Sequence, residues 1–189
     1  MDTTLIWQLV LQVVLIALNA IFACAEIAVI SVKDVRLEQL IKEGNKAAVK
    51  LGKLTEQPER FLSTIQIAIT LSGYLGSAAA ATNFAGLITN AVVAAGVSIS
   101  PSIINSVAVV LVTLILSYFT LVFGELVPKR LAMKNPEGVS LKLAGMLYAI
   151  SKVFKPIVSL LSVSVNGVLR VLGVDPNSDD DEYSEEEIR

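Results

Sequence analysis

Two stretches of this chain carry no charge: Thr3 to Ala25, 23 residues, and Phe61 to Gly124, 64 residues. A membrane-crossing helix needs about 20 predominantly apolar residues. The first stretch predicts one span over about 5–30, with Trp7 at its start, where an interfacial aromatic belongs. The second is long enough for two, predicted over about 61–81 and 103–123. Between them, residues 82–101 hold Asn83, Gly86, Asn90, Gly96 and Pro101 and predict an external connection with a short helix. Residues 33–60 change character. Val35, Leu40, Ala47, Leu51 and Leu54 recur at helical spacing among seven bases and five acids. That pattern predicts an amphipathic helix pair over about 33–55, lying on the membrane surface and broken near Gly44. In residues 141–172 the apolar runs are interrupted by Lys142, Lys152, Lys155, Pro156 and Arg170, and the longest uncharged piece, Pro156 to Leu169, has 14 residues. This is short for a span, so two interfacial helices hinged at Pro156 are expected in preference to a fourth crossing.

The expected fold is therefore an all-α integral membrane protein with three transmembrane helices and cytoplasmic juxtamembrane helices. Composition supports that class: 54% of the 189 residues are hydrophobic, 17% are charged, and mean hydropathy is +0.70. A secretory leader is not expected, because the first apolar run is too long and lacks a basic flank. Basic residues in 33–60 and at Lys129-Arg130 place those segments in the cytoplasm and the N-terminus outside, in a multi-pass protein of the cell membrane. The net charge of −2 hides an asymmetry, because residues 175–189 hold eight of the seventeen acids. Without them the balance is 14 bases to 9 acids, or +5. A transmembrane domain over 1–174 followed by an acidic linker over 175–189 fits this division. A basic body suits anionic lipid head groups, whereas no basic patch interleaved with aromatics points to nucleic acid. Ser184 and Glu187 form a capping-box pattern five residues before Arg189, so a further cytosolic region is expected beyond it.

With no His and one Cys, Cys24, the chain offers neither a disulfide framework nor a Cys/His metal site within itself. Cys24 is expected to pack as a small apolar residue. No nucleophile elbow, P-loop or paired intramembrane acids on adjacent turns indicate an enzyme. The candidate chemistry is oxygen ligation of a hard cation. Glu26 and Glu125 lie at the cytoplasmic ends of the first and third spans, where an ionisable group is either functional or snorkels to the interface. Gly124 precedes Glu125, and Pro128 lacks the N–H that would bond the Gly124 carbonyl, leaving that oxygen free. Asn19, Ala23 and Glu26 share a helix face. In the second span Gln66, Thr70, Gly73 and Ser77 do so, with Ser72 adjacent. Either this stripe lines a cation path or its small and hydroxylic residues serve helix packing, Gly73 and Gly76 among them. Oxygen-only donors suit Mg²⁺, Ca²⁺ or Na⁺ and argue against Zn²⁺ and Cu⁺.

Three segments carry a family resemblance. Leu18-Asn19-Ala20-Ile21-Phe22-Ala23-Cys24-Ala25-Glu26-Ile27-Ala28, Thr64-Ile65-Gln66-Ile67-Ala68-Ile69-Thr70-Leu71-Ser72-Gly73 and Gly124-Glu125-Leu126-Val127-Pro128-Lys129 resemble, in order and spacing, the three spans of the DUF21 transmembrane domain. This is the membrane domain of the CorC / cyclin M (CNNM) group of magnesium transporters. The resemblance covers roughly residues 5–175, and the Gly-Glu-Leu-Val-Pro-Lys exit motif is its most specific part.

The resemblance implies a homodimer and export of Mg²⁺ from the cytosol by alternating access, driven by inward Na⁺. It implies a following CBS module that binds nucleotide. Position by position, it assigns Glu125 and the Gly124 carbonyl as metal ligands, with Asn19, Thr70, Ser72 and Gly73 as further donors and Glu26 and Gln66 as secondary ones. An inward-facing cavity lined by Glu125, Asn19 and the Thr70–Ser72 turn is the expected site. Two other functions remain open: a membrane anchor or regulatory subunit controlling another transporter, and an uncoupled divalent-cation channel.

Overall fold

The computed structural model describes residues 3–174. The acidic linker and the Ser184–Glu187 pattern lie outside the described residues. Among the described residues every regular element is helical: α1 (Thr3–Ile30), α2 (Asp34–Lys42), α3 (Lys46–Thr55), α4 (Pro58–Ala94), α5 (Pro101–Leu121), a π-helical turn (Val122–Leu126), α6 (Val127–Ala132) and α7 (Pro136–Val171).

Local chemistry sets the boundaries. Gly44, at φ +79°, ends α2 in the left-handed region that glycine adopts without cost. Asn45 then caps α3, its Oδ1 accepting from the backbone N–H groups of Ala47 (2.9 Å) and Ala48 (3.2 Å). Prolines open α4, α5 and α7, where the missing N–H would have had no helical partner.

Four helices are long and apolar enough to cross a membrane: Leu5–Ile30, Pro58–Ala94, Pro101–Ala132 and Pro136–Val171. The sequence pattern predicts three, and it divides two of these segments differently. The second span was expected to stop near residue 81, with a connection over 82–101, yet α4 continues to Ala94. The polar residues there bond to their own helix and do not break it. Asn83 Nδ2 donates to the Ala79 carbonyl and Thr89 Oγ1 to the Ala85 carbonyl, each at 2.8 Å. Thr89 Oγ1 also reaches Asn105 Oδ1 on α5 at 3.3 Å, fastening the α4–α5 hairpin. At 1.5 Å per residue α4 is about 55 Å long, well beyond the hydrocarbon thickness of about 30 Å.

The second departure is α7, expected as two helices hinged at Pro156 and observed as one continuous helix with Pro156 inside it. A proline removes one helical hydrogen bond. The turns before it are held by packing: Ala144 and Leu147 are buried in the main core.

That core lies at one end of the molecule. Phe22, Ala25 and Val29 of α1 meet Leu37 and Leu40 of α2, Ala48, Leu51 and Leu54 of α3, Phe61, Ile65 and Ala68 of α4, and Ala144 and Leu147 of α7. The amphipathic faces of α2 and α3 are thus spent on the ends of the long helices. By contrast, long faces of α1 and α5 stay open, with Trp7, Val13, Leu114 and Tyr118 each more than 60% exposed. Open apolar faces of this extent are what a lipid-facing bundle presents.

Candidate cation site

The first and third long helices meet where their polar residues are. Asn19 is buried on α1, and its Nδ2 donates to the Gly124 carbonyl at 3.3 Å. Gly124 is itself buried, in the π turn. A Cβ at position 124 would stand 3.2 Å from Asn19 Nδ2 and 3.4 Å from both Asn19 Cβ and the Ile16 carbonyl oxygen. Glycine is therefore what lets α1 approach this turn. The π turn sits immediately before Pro128, where an α-helical bond to the Gly124 carbonyl cannot form, and π turns of this kind recur at functional sites.

The amide of Asn19 is only half used. Its Oδ1 is buried and has no hydrogen-bond partner among the described residues. An unmatched buried oxygen costs on the order of 1–3 kcal/mol, so a donor or a cation placed there would be stabilising.

One and two turns further along, Lys129 gathers both candidate carboxylates. Its Nζ lies 3.1 Å from Glu125 Oε1, with which it hydrogen-bonds, and 3.0 Å from Glu26 Oε2. The Glu26 contact is an ion pair without hydrogen-bond alignment. The side chains of Glu26, Glu125 and Lys129 are 22%, 35% and 25% exposed, so neither contact is a freely solvated surface pair. Cys24, between Asn19 and Glu26, donates from Sγ to the Pro128 carbonyl at 3.3 Å and so also ties α1 to α6. This cysteine is half-buried and does more than fill space.

The structure thus joins Asn19 to Gly124, and Glu26 to Glu125 through Lys129. Among the described residues no hydrogen bond or ion pair joins the second-span candidates to them. Thr70, Ser72 and Gly73 are half-buried on α4 and Gln66 is exposed. A Cβ at Gly73 would meet nothing within 4 Å, so close packing is not what this glycine serves. Gly76 serves it instead. Its carbonyl accepts from Gln12 Nε2 at 2.8 Å in a buried contact between α1 and α4. Two cavities among the described residues, one between α3, α4 and α7 and one between α1, α6 and α7, are not lined by Asn19, Thr70 or Glu125.

Two participants escaped the sequence reading. Lys129 had a legible signal, its i, i+4 spacing from Glu125, but it was read only as a marker of the cytoplasmic exit. Gln12 is a lone amide in an apolar run, and nothing local reveals that it faces a glycine carbonyl 64 positions away.

A family model for the cyclin M transmembrane N-terminal domain matches residues 10–189. The chain belongs to the cyclin M transmembrane family. Among its relatives, the UPF0053 protein sll0260 of Synechocystis is 37% identical over 180 residues, 93% of this chain and 39% of the relative. The UPF0053 protein YhdP of Bacillus subtilis is 32% identical over 96% of this chain and 41% of its own length. A Haemophilus influenzae relative named polyamine export protein is 29% identical over 92% of this chain and 40% of its own length. The chain thus spans about two-fifths of the length of these relatives. Membership makes it a multi-pass, transporter-like membrane domain and not a member of a known enzyme family.

Proposed function

We propose that this chain is the membrane domain of a Mg²⁺ exporter that works as a homodimer, exchanging cytosolic Mg²⁺ for Na⁺ through alternating access. The observation that carries this reading is the pairing of Glu26 and Glu125 on one ammonium, on the same two helical segments that Asn19 and Gly124 join. The arrangement holds a positive charge between two carboxylates near membrane depth. Among the described residues no group of three or more His, Cys, Asp or Glu comes together. A cation there would be met by one or two carboxylates, neutral oxygens and water, the mixture that suits Mg²⁺. Loading requires Lys129 to yield, after which Glu125, Asn19 Oδ1 and the Gly124 carbonyl are the proposed oxygen donors, with Glu26 secondary. Thr70, Ser72 and Gly73 would join only if α4 moves toward the π turn.

The three-span arrangement is favoured by the course of α7, and the basic residues of 33–60 and Lys129-Arg130 favour an N-terminus outside. Residues 148–166, about 28 Å of helix, share one cavity with only Lys53–Leu54 of α3 and Gln57–Thr64 of α4. A helix crossing alongside α4 would meet residues far beyond Thr64. On this reading α7 lies across the end of the bundle, at the cytoplasmic interface.

A second reading is export of an organic polycation. An alkylammonium, that of Lys129, already sits between the carboxylates, and one relative is named for polyamine export.

Isothermal titration of the purified dimer separates these readings. Saturable Mg²⁺ binding that Glu125→Ala abolishes without loss of the dimer supports the first, and Na⁺ competition supports exchange. Saturable spermidine binding with none for Mg²⁺ supports the second. Binding of neither, or equal binding by the variant, returns the domain to an anchoring role.

A further inference from the structure

The larger of the two cavities, about 540 Å³, lies between α3, the start of α4 and α7, away from the candidate cation site. Four of its lining residues are basic: Lys53, Arg60, Lys152 and Lys155. No acid lines it. Nor do these four form a salt bridge among the described residues, since the ion pairs there are Arg36–Glu137, Lys129–Glu26 and Lys129–Glu125. Arg60 donates to the neutral Gln57 Oε1 at 2.8 Å, and Lys152 stands 4.9 Å from the centre of the Tyr148 ring. Glu56, on the α3–α4 connection, and Glu59, in the first turn of α4, are exposed and do not line the cavity. Four like charges around one cavity repel, and a bound anion would turn that cost into attraction.

The backbone adds to the field. Gln57, also a lining residue, is the N-cap of α4 and makes no side-chain cap bond. The positive end of a 37-residue helix therefore opens beside the four bases without a capping acceptor. Three lining hydroxyls are committed elsewhere: Thr64, Ser151 and Ser162 bond to carbonyls of their own helices. Ser159 and Tyr148 also line the cavity, beside the charged donors. Phe61, Val158 and Val163 complete the wall with apolar surface.

We propose that this cavity binds a phosphate-bearing anion, either the head group of an acidic phospholipid or a soluble phosphate, through Lys53, Arg60, Lys152 and Lys155. The apolar wall suits an acyl chain continuing from a head group.

The test uses the full chain in phosphatidylcholine nanodiscs. One arm adds phosphatidylglycerol, and the other adds inorganic phosphate. Retained lipid is read by native mass spectrometry, and thermal stability is read in both arms. The wild type should retain phosphatidylglycerol over phosphatidylcholine or be stabilised by phosphate, and the responding arm names the source. Arg60→Gln and Lys155→Gln replace exposed side chains, so folding should persist, and each should weaken the response about tenfold. Lys134→Gln, an exposed base outside the cavity, should change nothing. No response of the wild type to either probe overturns the proposal. So does an unchanged response in both cavity variants, or an equal loss in Lys134→Gln. Mg²⁺ titration on the same discs reads the cation site separately.

Discussion

Asn19 and Gly124, 105 positions apart, are joined by a buried amide-to-carbonyl hydrogen bond of 3.3 Å that sets how closely α1 approaches the π turn. The bond needs both partners as they are. Gly124→Ala would put a Cβ 3.2 Å from Asn19 Nδ2, tighter than ordinary packing, and both neighbours would have to give. An expected cost of about 1–3 kcal/mol follows for overpacking at such a site. The measurement is thermal unfolding of the detergent-solubilised protein. A wild-type melting temperature in Gly124→Ala would show that α1 does not rest on this turn.

Asn19→Ala removes the donor to Gly124 but also the unmatched Oδ1. The first loss destabilises and the second relieves a buried polar group, so the net effect on stability should be small, about 1 kcal/mol or less. Cation binding should fall much further than stability if Oδ1 is a ligand. Calorimetric titration beside a melting curve separates the two, and parallel losses would mark Asn19 as structural only.

Much of this fold is legible in the chain because charge and hydropathy speak directly to a bilayer. The uncharged runs mark α1, α4 and α5, and the helix pair α2–α3 follows from its period, although its apolar faces pack on the long helices. What stays hidden is set by packing. Asn83 and Thr89 look like connection residues, and only their bonds to their own helix reveal that α4 continues through them. Pro156 looks like a hinge, and a helix already packed through Ala144 and Leu147 absorbs it. At the site, Asn19 and the two acids stand out as chemically costly residues in apolar sequence, and Gly124 stands out through Pro128 four residues on. Lys129 does not, because a base after a span reads equally well as a topological signal.

Gly73 and Gly76 should respond oppositely to alanine. Nothing lies within 4 Å of a Cβ at 73, so Gly73→Ala should be neutral or stabilising by up to about 1 kcal/mol through helix propensity. At 76 a Cβ would stand 3.4 Å from Gln12 Oε1, beside the buried bond from Gln12 to the Gly76 carbonyl. Gly76→Ala should therefore be the less stable of the two. A Gly73→Ala variant that is stable yet fails to bind or transport the cation would show that α4 reaches the site during the cycle.

Lys129→Met is the most informative change. It leaves Glu26 and Glu125 facing each other without their shared ammonium. Breaking a fully buried pair costs about 3–5 kcal/mol, and here partial exposure should reduce that to about 1–2 kcal/mol. The variant should therefore melt lower than wild type in a chelator. If the two carboxylates form a cation site, the tethered competitor is gone and added Mg²⁺ should bind more tightly. Ligand binding to the folded state raises stability as its concentration exceeds the dissociation constant, by about 2.7 kcal/mol at a hundredfold excess. The melting temperature of Lys129→Met should then climb with Mg²⁺ more steeply than that of wild type and overtake its own deficit. Replacing Mg²⁺ by spermidine in the same titration tests the polycation reading. If neither cation restores the variant, the two acids hold Lys129 for structural reasons, and the ion path lies elsewhere in the domain.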